Sequence, residues 1–302
     1  MKFNMPVSRS VHLRIGLVIL SFFVGFVIST PTVPRPYLSK PTVKAAYTRT
    51  PPIPKSSLII PPEITAQAVF IVDLNSQIVL LAKQPNLRLR PASLTKIMTA
   101  IVSMDQYEPG ALLRVQNGSL SVGAKAELIK GDILTAQSAL YALLVPSGND
   151  AAVTLAENFP GGYKSFIDHM NAKVFQLGLT NTHFANVSGV ESLNHFTSAY
   201  DISIIAQHAL ARPMFKNIVS TRKITLKSEK GNSYPLVTTN LLLGKPGILG
   251  VKTGWTNDAG ECLVTYADRY THPVLISLLG SKDRFGETEK LLDWIYTNYI
   301  WE

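Results

Sequence analysis

Apolar and polar positions fall into three regimes along this chain. Residues 13–28 form an apolar run, Leu13 to Ile28, whose one charge is Arg14 at its edge; Lys2 and Arg9 precede it. Residues 31–62 hold nine prolines, five Lys or Arg and no acid. Periodic segments then take over. Ala66 to Asp73 reads as a strand, Asn75-Ser76 as a turn and Gln77 to Ala82 as the returning strand of a hairpin. Pro91 fits a helix start, after which Leu94, Ile97, Met98, Ile101 and Val102 recur at helical spacing. Gly110 to Gly131 is irregular, with short strand-like pieces. Ile133 to Val145 predicts an apolar helix. Asp150 to Asn158, Tyr163 to Leu177 and Ser198 to Ala211 predict three more. Strands come next at 223–227, 248–253, 261–267 and 273–279, and Glu287 to Ile300 reads as an amphipathic closing helix.

Strands therefore flank a helical middle. The early hairpin and the late strands are expected to pair into one antiparallel sheet. The closing helix would cover one face and the middle helices the other, giving an α+β domain with a helical insertion.

Charge changes the picture at the N-terminus alone. The net charge is +9, but residues 1–62 carry +8 of it and residues 63–302 only +1. A nearly neutral globular part offers no basic face to track phosphates, which excludes a nucleic-acid partner. Positive flanking charge keeps the first residues cytoplasmic and directs the chain beyond the apolar run out of the cytoplasm. The expected layout is a cytoplasmic basic segment at 1–12, a signal-anchor at 13–30, a stiff basic linker at 31–62 and a globular domain at 63–302. A cleaved signal peptide is the rival, though Val27-Ile28-Ser29 makes a poor cleavage site. Prolines keep the linker extended, and its cations suit anionic lipid head groups. Cys262 is the one cysteine, so no intrachain disulfide exists, and an apolar strand makes it a small core residue. The six histidines show no ligand spacing, so neither a metal nor a cofactor is expected.

Three short motifs carry candidate chemistry. Ser93 and Lys96 lie three apart on one helix face, away from the apolar stripe. An amine beside a hydroxyl acts as a base once burial or nearby positive charge makes it neutral near pH 7. Alone this pair is weak, since a chain of this length holds about one Ser-X-X-Lys by chance. Ser220-Thr221-Arg222-Lys223 is indeed a second copy, and a helix cap with a solvated lysine would explain either. Ser147-Gly148-Asn149 puts a hydroxyl and an amide two apart on a turn; Ser192-Leu193-Asn194 competes with it. Lys252-Thr253-Gly254 ends an apolar strand, where cation and hydroxyl suit a carboxylate and glycine allows close backbone approach. Order discriminates. Ser-X-X-Lys, Ser-X-Asn, Lys-Thr-Gly is the order in penicillin-recognising serine enzymes. Ser93, Ser147 and Lys252 satisfy it, whereas no Ser-X-Asn lies between Ser220 and Lys252.

On these motifs the chain resembles a serine-type D-Ala-D-Ala carboxypeptidase, a low-molecular-mass penicillin-binding protein of the β-lactamase/DD-peptidase fold. The resemblance runs from Ile64 to Trp294. It takes in Ala92 to Ala100, Ser147 to Ala152, Phe166 to Met170 with Asn171, Leu177-Gly178, Asn181 to Phe184, Asn194-His195, Ala199 to Asp201 and Gly250 to Thr256. It implies that Ser93 attacks the D-Ala-D-Ala carbonyl and forms an acyl-enzyme, with Lys96 taking its proton. Ser147 would relay a proton to the leaving amine. Asn149 would bind the substrate backbone and fix Lys96. Lys252, Thr253, Gly254 and Trp255 would hold substrate, with the N–H groups of Ser93 and Trp255 as oxyanion hole. Arg284 matches a family arginine that takes the terminal carboxylate. The implied partners are peptidoglycan pentapeptide stems and, as covalent inhibitors, β-lactams. The implied place is the outer side of the cell membrane, held by the N-terminal anchor. Many such proteins continue into an all-β stalk, which is not expected here. Glu261 stands where the family more often has an aromatic.

Rival readings remain. A serine β-lactamase needs a glutamate for deacylation, and Glu191-Ser192-Leu193-Asn194 comes near the usual pattern, but Val190 occupies the required place. A non-catalytic peptidoglycan or β-lactam sensor would share the motifs, as would a transpeptidase or endopeptidase.

Overall fold

The computed structural model describes residues 51–301. The described chain enters through a two-residue strand, β1 (Ile53–Pro54), and reaches the hairpin β2 (Ala68–Asp73) and β3 (Val79–Lys83). A 3-10 turn at Ala92–Leu94 leads into α1 (Thr95–Gln106). Next come β4 (Leu112–Arg114), β5 (Ile133–Thr135), α2 (Ala136–Leu144), α3 (Asn149–Glu157) and α4 (Gly162–Gln176). Helices α5 (Ala199–Leu210) and α6 (Pro213–Val219) precede a ribbon of β6 (Lys223–Lys227) and β7 (Ser233–Val237). The chain closes with β8 (Ile248–Thr256), β9 (Gly260–Arg269), β10 (His272–Ser281), α7 (Arg284–Asn298) and β11 (Tyr299–Ile300).

Five strands make one antiparallel sheet in the order β3-β2-β10-β9-β8, so the early hairpin joins the late strands as expected. Successive side chains leave a strand on opposite faces. Ala68, Phe70 and Val72 therefore face one layer, with α1, α2 and α5, while Val69 and Ile71 face Leu291, Leu292 and Ile295 of α7. Helix starts obey capping chemistry. Thr135 caps α2 by accepting from Ser138 N, Ser198 caps α5 through Asp201 N, and Asp283 caps α7 through Gly286 N.

Two expectations are corrected. Residues 133–145 are not one helix. Ile133–Thr135 pairs with Leu112–Arg114, and Thr135 starts the helix only afterwards. A continuous apolar run hides such a boundary because both states bury it. The strand at 223–227 lies outside the main sheet and pairs with Ser233–Val237. That partner was not foreseen because Pro235 sits inside it, which is tolerated only in an edge strand.

Part of the stretch read as linker is paired. Ile53 and Pro54 register against Ile300 and Tyr299, and Lys55 N donates to Asn298 O at 2.9 Å. The segments 1–12 and 13–30 lie outside the described residues. Among the described residues, no helix is long and apolar enough to cross a membrane.

Candidate active site

Ser93 sits in the 3-10 turn just before α1, and Lys96 one turn on. The preceding Ala92 has φ +47°, a left-handed conformation that costs a residue with a Cβ. Lys96 is fully buried. Its Nζ lies 2.9 Å from Ser93 Oγ and donates to Ser188 O at 2.7 Å. Burial first, then the nearby Lys252, pushes the amine well below its ordinary pKa, against a smaller opposing pull from Asp150. A carbonyl can only accept, so the Ser188 bond uses an amine hydrogen. An amine that loses its proton there keeps a lone pair facing the Ser93 hydroxyl.

Ser147 and Asn149 come from the turn that opens α3. Ser147 also has positive φ, +66°, and Gly148 N is fixed to Ala142 O at 3.0 Å. Asp150, fully buried, accepts N–H bonds from Ala126 and Ala151 at 2.9 Å and from Leu128 at 3.0 Å. It pins the 122–128 loop against the start of α3. Asn149 donates through Nδ2 to Val122 O, while its Oδ1 is buried without a partner. Lys96 is thus held by Ser188 O, a partner different from the expected Asn149.

The sheet supplies the opposite wall. Lys252 is buried, donates to Thr253 O at 2.9 Å, and is lowered to about 7 by burial and then by Arg284. Thr253 Oγ1 meets Thr239 Oγ1 at 2.6 Å. A Cβ on Gly254 would lie 3.1 Å from Ser93 N, Pro91 O and Ala92 Cβ, so only glycine lets β8 close on the serine turn without displacement. Trp255 stands 59% exposed on the rim. Arg284 reaches in from the first turn of α7. Its Nη1 donates to Gly254 O at 2.7 Å and its Nε is buried without a partner. Glu261 now has a role: its Oε2 accepts Arg284 N at 2.8 Å, an anion at a helix N-terminus.

These groups enclose a cavity of 490 Å³. Ser93, Ser147, Asn149, Thr253, Gly254, Trp255 and Arg284 line it, and Lys96 and Lys252 lie buried behind the wall. All nine residues singled out from the sequence are therefore gathered at one site. Neither Ser220-Lys223 nor Ser192-Asn194 lines it. Sequence reasoning passed over Ser188, because its contribution is a backbone carbonyl that any residue carries. It also passed over Asn186, which staples that loop by accepting from Ser188 N (3.2 Å) and Gly189 N (2.7 Å). Glu191 lines the cavity as well, but its Oε1 accepts Asp258 N at 2.9 Å. That bond, then the Thr256 hydroxyl, holds this exposed carboxyl below its ordinary value. Cys262 is buried and pushed up to about 11 by burial, the profile of an inert core thiol. Among the described residues, no group of three or more His, Cys, Asp or Glu is placed to hold a metal.

A protein family described as D-alanyl-D-alanine carboxypeptidase matches residues 55–283. The chain belongs to that family. Its relatives include the D-alanyl-D-alanine carboxypeptidase DacF of Bacillus subtilis, 32% identical over 244 residues, covering 78% of this chain and 63% of that protein. The chain therefore spans less than two thirds of that carboxypeptidase. A D-alanyl-D-alanine endopeptidase of Escherichia coli is 32% identical over 248 residues, covering 79% of this chain and 80% of the relative. Among solved structures, the Streptomyces K15 DD-transpeptidase superposes with a TM-score of 0.76 at 31% identity, covering 79% of this chain and all of that one. The α+β architecture is thus a DD-peptidase fold, and this carboxypeptidase-family chain has the layout of a serine peptidase.

Proposed function

We propose that this chain is a serine-type D-alanyl-D-alanine carboxypeptidase that removes the terminal D-Ala from peptidoglycan stem peptides. The observation that carries the reading is the buried Lys96 amine 2.9 Å from Ser93 Oγ, where burial favours its neutral form. In the proposed cycle Ser93 Oγ attacks the penultimate carbonyl while Lys96 takes its proton. The N–H groups of Ser93 and Trp255 receive the oxyanion. Ser147 passes a proton to the departing D-Ala amine, and water then cleaves the acyl ester. Two residues that line the cavity fit such a substrate. The Arg284 guanidinium suits a terminal carboxylate, backed by the Lys252 charge, and the Asn149 amide suits a substrate peptide group. β-Lactams would occupy the same cavity as acylating inhibitors.

The run at residues 13–28 supports a single-pass anchor with this domain on the outer side of the cell membrane. Resistance of the full chain to alkaline extraction from membranes tests that placement.

Mass spectrometry of the full chain mixed with penicillin tests the chemistry, with Ser93→Ala beside it. A lasting penicilloyl adduct on the unaltered chain alone, with D-Ala release from a stem pentapeptide, is the expected result. Rapid penicillin turnover without a lasting adduct would make it a β-lactamase. Neither adduct nor turnover would leave a sensor.

A further inference from the structure

His195 takes no part in the proposed acylation cycle, yet it is 1% exposed and bonded through both ring nitrogens. Ala185 N–H donates to Nδ1 at 2.9 Å. A backbone N–H cannot accept, so the ring proton resides on Nε2. Nε2 lies 2.8 Å from Thr95 Oγ1, and this hydroxyl lies 2.8 Å from Ala92 O. Each link then has one direction: Nε2–H donates to Thr95 Oγ1, and the Thr95 hydroxyl donates to Ala92 O. The Thr95 backbone N–H also reaches Ala92 O. Gly189 presses on the same atom so closely that a Cβ there would sit 1.8 Å from it and 2.9 Å from Thr95 Oγ1.

Ala92 O belongs to the peptide unit whose other end is Ser93 N–H. That unit is planar and trans, so its C=O and N–H point in opposite directions. Fixing the carbonyl fixes the aim of the N–H. The need for fixing is plain, since Ala92 is held in a left-handed conformation that an unsupported alanine would leave.

We propose that His195 is a positioning residue that, acting through the Thr95 hydroxyl, holds the Ala92–Ser93 peptide so that Ser93 N–H is preset to receive the oxyanion. The inference rests on the acylation reading and adds to it where the preset N–H comes from. The 186–195 segment then serves the reaction twice: Ser188 O holds the base, and His195 holds the serine turn.

The test uses the full chain carrying Thr95→Val, which keeps the shape and removes the hydroxyl, with Thr95→Ser as rescue and His195→Gln as a second interruption. Penicillin acylation rates are read by stopped flow, and the ester carbonyl stretch of each acyl-enzyme by infrared difference spectroscopy. Loss of a whole oxyanion donor costs about 100- to 1000-fold. A misaimed donor is expected to cost Thr95→Val about 10- to 100-fold in acylation rate, with the penicillin dissociation constant little changed. The ester band should move to higher frequency in Thr95→Val and His195→Gln and stay in place in Thr95→Ser. Acylation of Thr95→Val within about twofold of the unaltered chain would overturn the proposal. Slower acylation with an unmoved band would overturn it too, because general loosening of the fold lowers the rate without weakening the carbonyl hydrogen bond. An unaltered chain that forms no adduct would instead remove the parent reading, and this one with it.

Discussion

On the α7 face of the sheet, Val69, Ile71, Leu263, Ile276 and Leu278 pack against Leu291, Leu292 and Ile295. Its buried carboxylate, Glu287, accepts from Thr65 N, Ala66 N and Ser281 Oγ. On the opposite side, α1 presents Thr95, Lys96, Thr99 and Ser103, all fully buried, alongside Ile97, Met98 and Ile101. There two lysines are stripped of water, and Asn149 Oδ1 is left unpartnered. Burying a polar group without a partner costs on the order of 1–3 kcal/mol. One layer is thus held chiefly by apolar burial, and the other gives up some stability to keep reactive groups dry.

The sharpest separation comes from Ser93→Ala, expected to abolish the penicilloyl adduct in a mass spectrum and lower D-Ala release at least about 1000-fold. Its melting temperature should stay where it was. Lys252→Met should lower kcat/KM for a stem peptide by about 100-fold or more, as a lost charge-assisted contact does. It should also raise the melting temperature. Folding takes the Lys252 proton off between about 7 and 10.5, so stability of the unaltered chain rises with pH across that window and the variant's should rise less. Were Lys252→Met less stable at pH 8, the cost assigned to the polar layer would be wrong.

The mirror experiment is Leu292→Ala, in the apolar layer. It should lose about 2–5 kcal/mol in urea unfolding, as deletion of a buried leucine does, while the acylation rate constant stays within about twofold. A large drop in acylation would show the layers to be coupled. Smaller still, kcat/KM should fall above about pH 7 as free Lys252 loses its charge, and Lys252→Arg should carry that limb to higher pH. Smallest is Glu261→Gln, expected to cost about 0.3–1 kcal/mol at the start of α7.

The same contrast explains what the sequence revealed. Sheet strands and the α1 stripe were legible because burial imposes their periodicity. Ser93, Lys96, Ser147, Asn149, Lys252 and Thr253 were legible because fixed spacings carry them. The groups that hold them were not. Asp150 bonds to N–H groups more than 20 residues away. His195 meets a threonine 100 residues earlier, and Lys96 uses a carbonyl 92 residues on. Such partners are chosen by the fold. The Arg284 link to Gly254 O is of this kind too, since only the packing of α7 on the sheet brings it there.

The short pairing of Ile53 with Ile300 brings both ends of the described chain to one spot on the surface. Adjacent ends make a fold indifferent to where its chain is opened. Residues 301 and 51 joined by a short flexible linker, with new ends cut at the exposed Gly231 in the β6–β7 turn, would give a rearranged chain with every contact of the cleft retained.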